Sequence, residues 1–220
     1  KINDLPMIVH VLNRAKESKV GEVFVATADS EIIDVVKKNG GQTIMTKKDH
    51  PSGSDRVYEA YLQKLQERAD LIINLQGDMP NIKTESIKKL VKFMRESKSD
   101  IGTLASDIKN KDEIKNKNIV KVEVGENLKS NNFLAAKDFF RTKEDLKSNK
   151  IYHHIGIYAF TNIALTQYVK LSRSKLEIER NLEQMRAMEN NMTIMVGLSK
   201  SKALGVDTED DLNKIIKEMS

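Results

Sequence analysis

The first hundred residues alternate short apolar segments with amphipathic ones. The apolar segments predict strands at 22–27, 42–45 and 70–74. The segments between and after them repeat apolar residues at three- and four-residue spacing, most clearly over 87–94, which is typical of helices with one buried face. One of these helices is predicted over roughly 54–68, before the third strand. Short apolar strands that alternate with amphipathic helices predict a mostly parallel sheet covered on both faces. The chain is therefore predicted to be an α/β protein.

The pattern changes after about residue 100. Strand-like segments with polar loops between them follow, at 101–105, 119–124, 132–136 and 152–160. This spacing predicts one domain over 1–220 that carries a small, more antiparallel lobe inserted at about 107–150. Helices at about 162–171 and 176–189, a strand at 193–196 and a helix from Thr208 complete the prediction.

Composition excludes several classes of protein. A hydrophobic content of 39% over 220 residues is enough for one buried core. The absence of cysteine excludes disulfides, thiolate nucleophiles and cysteine-ligated zinc, and it fits a reducing, cytoplasmic location. Any metal must therefore bind to oxygen or histidine. No apolar run approaches the ~20 residues of a membrane span, and the N-terminal residues lack a secretory pattern.

The net charge of +5 does not indicate a nucleic-acid-binding protein. The basic and acidic residues are mixed along the chain, and only 5% of residues are aromatic. A nucleic-acid binder would gather its basic residues on one face or offer aromatic rings for stacking. The charge indicates at most a mild preference for anionic ligands.

The stretch Asn74-Leu-Gln-Gly-Asp-Met-Pro80 ends a predicted buried strand with a glycine, a carboxylate and a proline. Ligands of open α/β sheets bind beyond the carboxyl ends of the strands, which is where Asp78 lies. Gly77 permits a close approach of a ligand, and Pro80 ends the strand. A tight turn without function and a metal-binding carboxylate both fit this stretch.

A second carboxylate, Asp207, stands in Ala203-Leu-Gly-Val-Asp-Thr208, directly before the last predicted helix. Asp207 or Thr208 together with Asp211 also fits an ordinary helix start. Two carboxylates from distant strand ends can converge on Mg²⁺, which takes one or two protein carboxylates and completes its shell with water and phosphate oxygens.

Two further stretches carry candidate binding residues. His50-Pro-Ser-Gly-Ser-Asp-Arg56 places small hydroxyl side chains around a glycine before a helix, where backbone amides attract anions such as a nucleotide. A capped loop without a ligand fits this stretch equally well. Tyr152-His-His-Ile-Gly-Ile-Tyr158 puts two histidines on one strand, so their side chains point to opposite faces and one of them is expected to be structural.

These motifs occur together in an order that resembles one enzyme family. The set comprises Pro6-Met-Ile-Val-His10, His50 to Arg56, Asn74 to Pro80, Asn118-Ile-Val-Lys-Val122, His154-Ile-Gly-Ile-Tyr158, Leu182-Glu-Gln-Met-Arg186 and Gly205-Val-Asp-Thr208. It resembles the 3-deoxy-manno-octulosonate (Kdo) cytidylyltransferases, or CMP-Kdo synthetases, over essentially the whole chain.

The resemblance implies a Rossmann-like nucleotidyltransferase of the nucleotide-diphospho-sugar transferase type, a three-layer sandwich. It implies transfer of CMP from CTP to the anomeric hydroxyl of Kdo, which yields CMP-Kdo and pyrophosphate for lipopolysaccharide synthesis. The expected cofactor is Mg²⁺, and a cytoplasmic homodimer is expected.

Carried over motif by motif, the resemblance also assigns roles to individual residues. The metal ligands, which are also the catalytic residues, would be Asp78 and Asp207. The nucleotide-binding residues would be Ser52, Gly53, Ser54, Arg56 and Gln76. The residues on the sugar-acid side would be His154, Tyr158, Glu183 and Gln184.

Three features depart from the family pattern. No Ala-Arg-x-x-Ser-x-Arg-x-Pro-x-Lys-x-Leu loop precedes Pro6, and the chain begins with Lys1 inside an amphipathic pattern, so we expect an upstream segment to supply that loop. Met79 replaces the usual Glu, which removes a charge. Lys137, within 133–138, stands where the family places arginine, and lysine does not reproduce a bidentate clamp on a carboxylate.

Other interpretations remain open at this point. A cytidylyltransferase for sialic acid or another 2-keto sugar acid would share the fold, the metal and the nucleotide. A non-enzymatic nucleotide-binding protein is a further alternative, which applies only if the reading frame starts near Lys1 without the basic loop. The apolar residues around Glu183 and Gln184, among them Leu182 and Met185, also fit a core or dimer-interface helix face.

Overall fold

The computed structural model describes residues 1–65, 68–97, 99–143 and 150–219. The helices in these ranges are α1 (Met7–Ser18), α2 (Ser30–Lys38), α3 (Gly53–Lys64), α4 (Thr84–Glu96), α5 (Lys111–Lys115), α6 (Asn162–Lys170), α7 (Lys175–Arg180), α8 (Gln184–Glu189) and α9 (Glu209–Met219). The strands are β1 (Phe24–Thr27), β2 (Gln42–Met45), β3 (Leu71–Leu75), β4 (Ile101–Ser106), β5 (Lys121–Val124), β6 (Phe133–Phe140), β7 (Ile151–Thr161) and β8 (Ile194–Leu198).

The predicted elements are present, with three differences. The helix predicted at 176–189 is divided into α7 and α8, because Asn181 adopts a left-handed conformation with φ of 51° that ends α7. The strand predicted at 132–136 continues to Phe140. The helix predicted at about 54–68 ends at Lys64, and residues 66–67 of that prediction lie outside the described residues.

The prediction of a mostly parallel sheet is wrong for the described strands. The pairs β1–β2 and β4–β8 are parallel, whereas the pairs β3–β7, β4–β7, β5–β6, β5–β7 and β6–β8 are antiparallel. The reason is β7, which lies between β3 and β4 and runs opposite to both. An apolar pattern in the sequence indicates that a strand is buried, but it does not encode the direction of its neighbours.

The six-stranded sheet has the order β3-β7-β4-β8-β6-β5, and β7 also pairs with β5. The first residues of β7 pair with β5 and its last residues pair with β3, so the sheet closes on itself. Strands β5 and β6 fall in the insertion predicted at 107–150 and are continuous with this sheet. Residues 144–149 of that insertion lie outside the described residues.

Hydrophobic clusters cover both faces of this sheet. Along β7, Ile157 and Ala159 pack with α4 residues such as Leu90, whereas Tyr158 and Phe160 belong to the other cluster, with residues of α6 and α8. Successive side chains of a strand point to opposite faces, so helices lie on each side of the sheet. This arrangement agrees with the predicted α/β class.

None of the helices within the described ranges combines the length and the apolar character that a membrane span would require.

A buried arginine joins three helices on one side of the sheet. Arg186 of α8 is 1% exposed, and its Nη1 and Nη2 atoms donate to the two carboxylate oxygens of Asp55, at 3.1 Å each. Its Nε and Nη2 atoms donate to Glu177 of α7 at 2.8 and 2.7 Å. The guanidinium carbon also lies 4.5 Å from the ring centroid of Tyr168 in α6. These contacts fix the first turn of α3 against α7 and α8.

Replacing this arginine tests its structural role. We expect Arg186→Leu to lower the free energy of unfolding by about 3–5 kcal/mol, because the buried Glu177 and the largely buried Asp55 would lose the cation they share. Glu177 would keep its contact with the more exposed Arg173, at 3.1 Å. Urea denaturation followed by circular dichroism measures the change. The control is Lys175→Ala, which removes a solvent-exposed pair with Glu179 at 3.7 Å and should change stability by about 0–1 kcal/mol. Equal losses in the two variants would contradict this account.

Candidate active site

The two predicted metal carboxylates lie at the same edge of the sheet. Asp78 follows β3, and Asp207 follows β8 and precedes α9. The Val206 N–H donates to the Asp78 backbone carbonyl at 3.0 Å, which draws the segment before Asp207 alongside Asp78. A Cβ atom added to Gly205 would lie only 3.3 Å from Asp78 Oδ2, so glycine permits the close passage of this segment. The structure thus brings Asp78 and Asp207 together.

The environment of Asp78 is that of a carboxylate suited to a cation. Burial raises the pKa of Asp78, its own backbone N–H opposes that rise, and the negative charge of Asp207 raises the pKa further. Its Oδ1 atom is buried, and no donor in the described part of the chain hydrogen-bonds it. A buried carboxylate oxygen without a donor is unfavourable, and a cation held between the two aspartates would compensate it. The donor set therefore fits Mg²⁺.

The start of α9 is capped by Thr208 and Asp211, and not by Asp207. Thr208 Oγ1 accepts from the Asp211 N–H at 3.2 Å and donates to the Asp211 carboxylate at 2.7 Å. The carboxylate of the exposed Asp207 takes no part in this cap. Within the described ranges, no cluster of three or more histidine or acidic side chains is placed to hold a metal.

The predicted nucleotide-binding residues Ser52, Gly53, Ser54 and Gln76 are brought together at the start of α3. Asn74 Nδ2 donates to Ser54 Oγ at 3.1 Å, and Gln76 Nε2 donates to Asn74 Oδ1 at 3.2 Å. A Cβ atom on Gly53 would lie 3.0 Å from Gln76 Nε2. Ser52 also caps α3 by accepting from the Asp55 N–H at 3.3 Å. The capped-loop interpretation and the binding interpretation are thus compatible.

Asn74 was missed by the sequence analysis. The signal was present, because an asparagine in the apolar run 71–75 is unusual, and its side chain is buried and hydrogen-bonded here.

Arg56 is used differently from the serines near it. Its Nη1 atom donates to Thr46 Oγ1 at 2.7 Å and to the Lys47 carbonyl at 3.0 Å, and its Nη2 atom donates to the Lys48 carbonyl at 3.2 Å. The guanidinium therefore holds the connection between β2 and α3. Its contact with a nucleotide stays a prediction.

The residues predicted on the sugar-acid side, Tyr158, Glu183 and Gln184, line one small cleft together with Ser54. Glu183 Oε2 accepts from the Ser54 N–H at 3.0 Å, and its backbone carbonyl accepts from the Tyr168 hydroxyl at 3.0 Å. Burial raises the pKa of Glu183, although the bond from Ser54 opposes that rise. Burial also raises the pKa of Tyr158, so its hydroxyl stays protonated. The candidate sugar and nucleotide residues thus meet at Ser54.

The two histidines of β7 have separate surroundings, as their alternation predicts. His154 Nε2 lies 3.0 Å from Thr103 Oγ1, and burial lowers the pKa of His154 to about 3. Its ring centroid is 5.5 Å from that of Tyr158. His153 lies 3.5 Å from Glu113, and burial lowers its pKa to about 4. Both rings are therefore neutral at pH 7, and the contact of His154 with a substrate stays a prediction.

Two departures from the family pattern have clear positions. Met79 is buried with Ile82 and Leu90, so its side chain belongs to the core. Lys137 is exposed on β6.

The apolar residues around Glu183 and Gln184 were also interpreted as a core or interface helix face. Leu182 and Met185 are part of the core, which confirms the packing interpretation for them, whereas the nearby Ile178 is 59% exposed.

Comparisons with known proteins identify the family. The sequence model described as cytidylyltransferase matches residues 1–194. A 3-deoxy-manno-octulosonate cytidylyltransferase of Rhodopseudomonas palustris (strain BisB5) is 45% identical over 213 residues, which cover 96% of this chain and 86% of the relative. The enzyme of the same name from Brucella ovis is 43% identical over 211 residues, which cover 95% and 83% of the two chains.

Solved structures agree with these relatives. A CMP:2-keto-3-deoxy-manno-octonic acid synthetase complexed with CTP superimposes with a TM-score of 0.88 at 34% identity, over 100% of this chain and 89% of that one. A 4-diphosphocytidyl-2C-methyl-D-erythritol synthase from Anaerococcus prevotii DSM 20548 has a TM-score of 0.66 at 14% identity, over 100% and 91%, which supports the fold alone. The chain belongs to the 3-deoxy-manno-octulosonate cytidylyltransferase family of nucleotidyltransferases.

Proposed function

We propose that this protein transfers CMP from CTP to the anomeric hydroxyl of Kdo, with release of pyrophosphate, for lipopolysaccharide synthesis. The observation that carries the proposal is the convergence of Asp78 and Asp207 beside the polar row of Ser54, Asn74 and Gln76. The start of a helix suits the phosphates of a nucleoside triphosphate, and two carboxylates suit the divalent cation that accompanies it. The family relationship supports the same chemistry.

In the proposed complex, CTP lies against the first turn of α3. The backbone amides of Ser52 and Gly53 and the Ser52 hydroxyl would bind it, with Gln76 and Arg56 close by. Ser54 is buried and its N–H donates to Glu183, so Ser54 would support this turn from behind. A Cβ atom on Gly53 would lie 3.0 Å from the Gln76 amide nitrogen, so a larger residue at this position would displace the Gln76 side chain. The hydrogen bond that Ser54 accepts from Asn74 and the one that it donates to Glu183 hold this turn in one position before substrate arrives.

Asp78 and Asp207 would hold the Mg²⁺ ion. When bound, that ion would neutralise charge on the phosphates and make the sugar hydroxyl a better nucleophile. Asp78 contributes a buried carboxylate whose Oδ1 atom has no donor among the described residues, and Asp207 contributes an exposed one.

Kdo would be bound on the side of Tyr158, Glu183 and Gln184, with His154 next to Tyr158. The cleft that these residues line has a volume of only about 10 Å³, so they would have to move apart to admit the sugar. The Tyr158 hydroxyl stays protonated and could then donate to a sugar oxygen. The anomeric oxygen forms a bond to the α-phosphorus as the bond to pyrophosphate breaks, and the hydroxyl proton is released. This direct displacement requires no protein nucleophile, which suits a chain without cysteine.

The comparisons favour Kdo over sialic acid, because the proteins named above that are at least 34% identical to this chain are Kdo enzymes. On the family resemblance we also propose a cytoplasmic homodimer whose contacts involve the inserted lobe at about 107–150 and the helix region at about 176–189.

Pyrophosphate release tests the reaction. The protein encoded by the full reading frame is assayed with CTP, Mg²⁺ and Kdo, and we expect release that requires all three. Sialic acid in place of Kdo should give little release. Release with sialic acid alone would overturn the assigned substrate, and no release with either acceptor would favour nucleotide binding without catalysis.

Substitution of the paired carboxylates tests their role. We expect Asp78→Asn and Asp207→Asn each to lower kcat at least about 100-fold, because either change removes a charge that holds the cation. The matched control is Asp210→Asn, an exposed carboxylate in the first turn of α9. Thermal unfolding should change little in all three variants. Near-normal turnover in either of the first two would remove that residue from the metal site.

A further inference from the structure

The connection between β8 and α9, residues 199–208, determines where Asp207 lies. At its start, the Ser199 N–H donates to the Ala105 carbonyl at 2.7 Å, which ties it to β4. At its end, Thr208 begins the capped turn of α9. Between these points the connection passes Asp78, which it contacts through the Val206 N–H. Any group that fixes the middle of the connection therefore fixes the spacing of the two aspartates.

Asn81 is the side chain that holds the middle of this connection. It lies three residues after Asp78 and is 3% exposed. Its Oδ1 atom accepts from the Leu204 N–H at 3.1 Å, and its Nδ2 atom donates to the Lys202 carbonyl at 3.4 Å. The same Nδ2 atom donates to Glu218 Oε1 at 3.0 Å, near the end of α9. One buried amide thus joins the segment of Asp78 to two backbone groups of the connection and to α9.

We infer that Asn81 is a positioning residue, which sets Asp207 against Asp78 and thereby the affinity of the site for a divalent cation. This inference rests on the proposed cation site. The segment of Asp78 reaches the connection twice, through the Asp78 carbonyl and through the Asn81 side chain. Without the second contact, residues 202–204 can move while Val206 remains bonded, so Asp207 loses its fixed direction.

The expected loss of cation affinity follows from the coordination geometry of Mg²⁺. Mg²⁺ requires near-octahedral geometry with oxygen atoms at about 2.0–2.1 Å, so small displacements of a ligand weaken binding. Replacement of groups that orient metal ligands typically lowers affinity about 10–100-fold. The long side chain of Lys202 also pairs with Glu113 of α5 at 2.7 Å. This pair keeps the connection attached when Asn81 is changed, but it does not fix the backbone of residues 202–204. We therefore expect Asn81→Ala to fold.

The test is a titration with Mn²⁺ alone, followed by electron paramagnetic resonance of the free ion. It reports cation binding without turnover. We expect Asn81→Ala to bind Mn²⁺ about 10-fold more weakly than the unchanged protein. In the activity assay, the Mg²⁺ concentration for half-maximal rate should rise by a similar factor, while kcat at saturating Mg²⁺ falls less than about threefold. A purely structural role would lower the amount of folded protein and leave this concentration unchanged.

Glu218→Ala is the matched control. It removes the contact of Asn81 with α9 but leaves both contacts with the connection, so Mn²⁺ affinity should stay within about twofold of the unchanged protein. Equal weakening in Glu218→Ala and Asn81→Ala would overturn the inference and assign the effect to the docking of α9.

Asp207→Asn separates the inference from the function on which it rests. If Asp207→Asn loses Mn²⁺ and Asn81→Ala does not, the positioning role fails and the cation site stands. If Asp207→Asn binds Mn²⁺ normally, the cation site itself fails.

Discussion

The candidate site depends on one buried guanidinium group, that of Arg186. Arg186 is nearly inaccessible to solvent and lies between the carboxylates of Asp55 and Glu177, so each charge compensates the desolvation of the others. Because Asp55 belongs to the first turn of α3 and Arg186 to α8, this cluster fixes the two helix starts that carry Ser54 and Glu183. Proximity of the candidate nucleotide and sugar residues is therefore a consequence of charge pairing in the core.

A second constraint acts at the other end of the site. The residues that follow β3 and the connection that precedes α9 lie side by side, joined through the Asp78 carbonyl and the Asn81 amide. Gly205 permits this close passage. Burial raises the pKa of Asp78, and the negative charge of the nearby Asp207 raises it further, so the two charged carboxylates are unfavourable without a cation. The fold thus keeps Asp78 and Asp207 close enough to repel each other, and a bound divalent ion would offset this repulsion.

Much of this could be predicted from the sequence because the relevant signals are local. Strand and helix positions follow from the spacing of apolar residues, and Asp78 and Asp207 were found because both follow strands. The direction of β7 could not be predicted, since its apolar pattern is the same in either orientation. Arg186 and Asn81 were not given roles either, because each has a partner more than 100 residues away in the chain, Asp55 for Arg186 and Leu204 for Asn81.

The central claim is that Asp78 and Asp207 together hold a divalent cation against the nucleotide. Anomalous diffraction from crystals grown with CTP and Mn²⁺ tests it most directly. The account predicts one strong anomalous peak within about 2.0–2.3 Å of an oxygen of each aspartate and of a phosphate oxygen of CTP. A peak bound by the phosphates alone, with either aspartate beyond coordinating distance, would contradict the assignment.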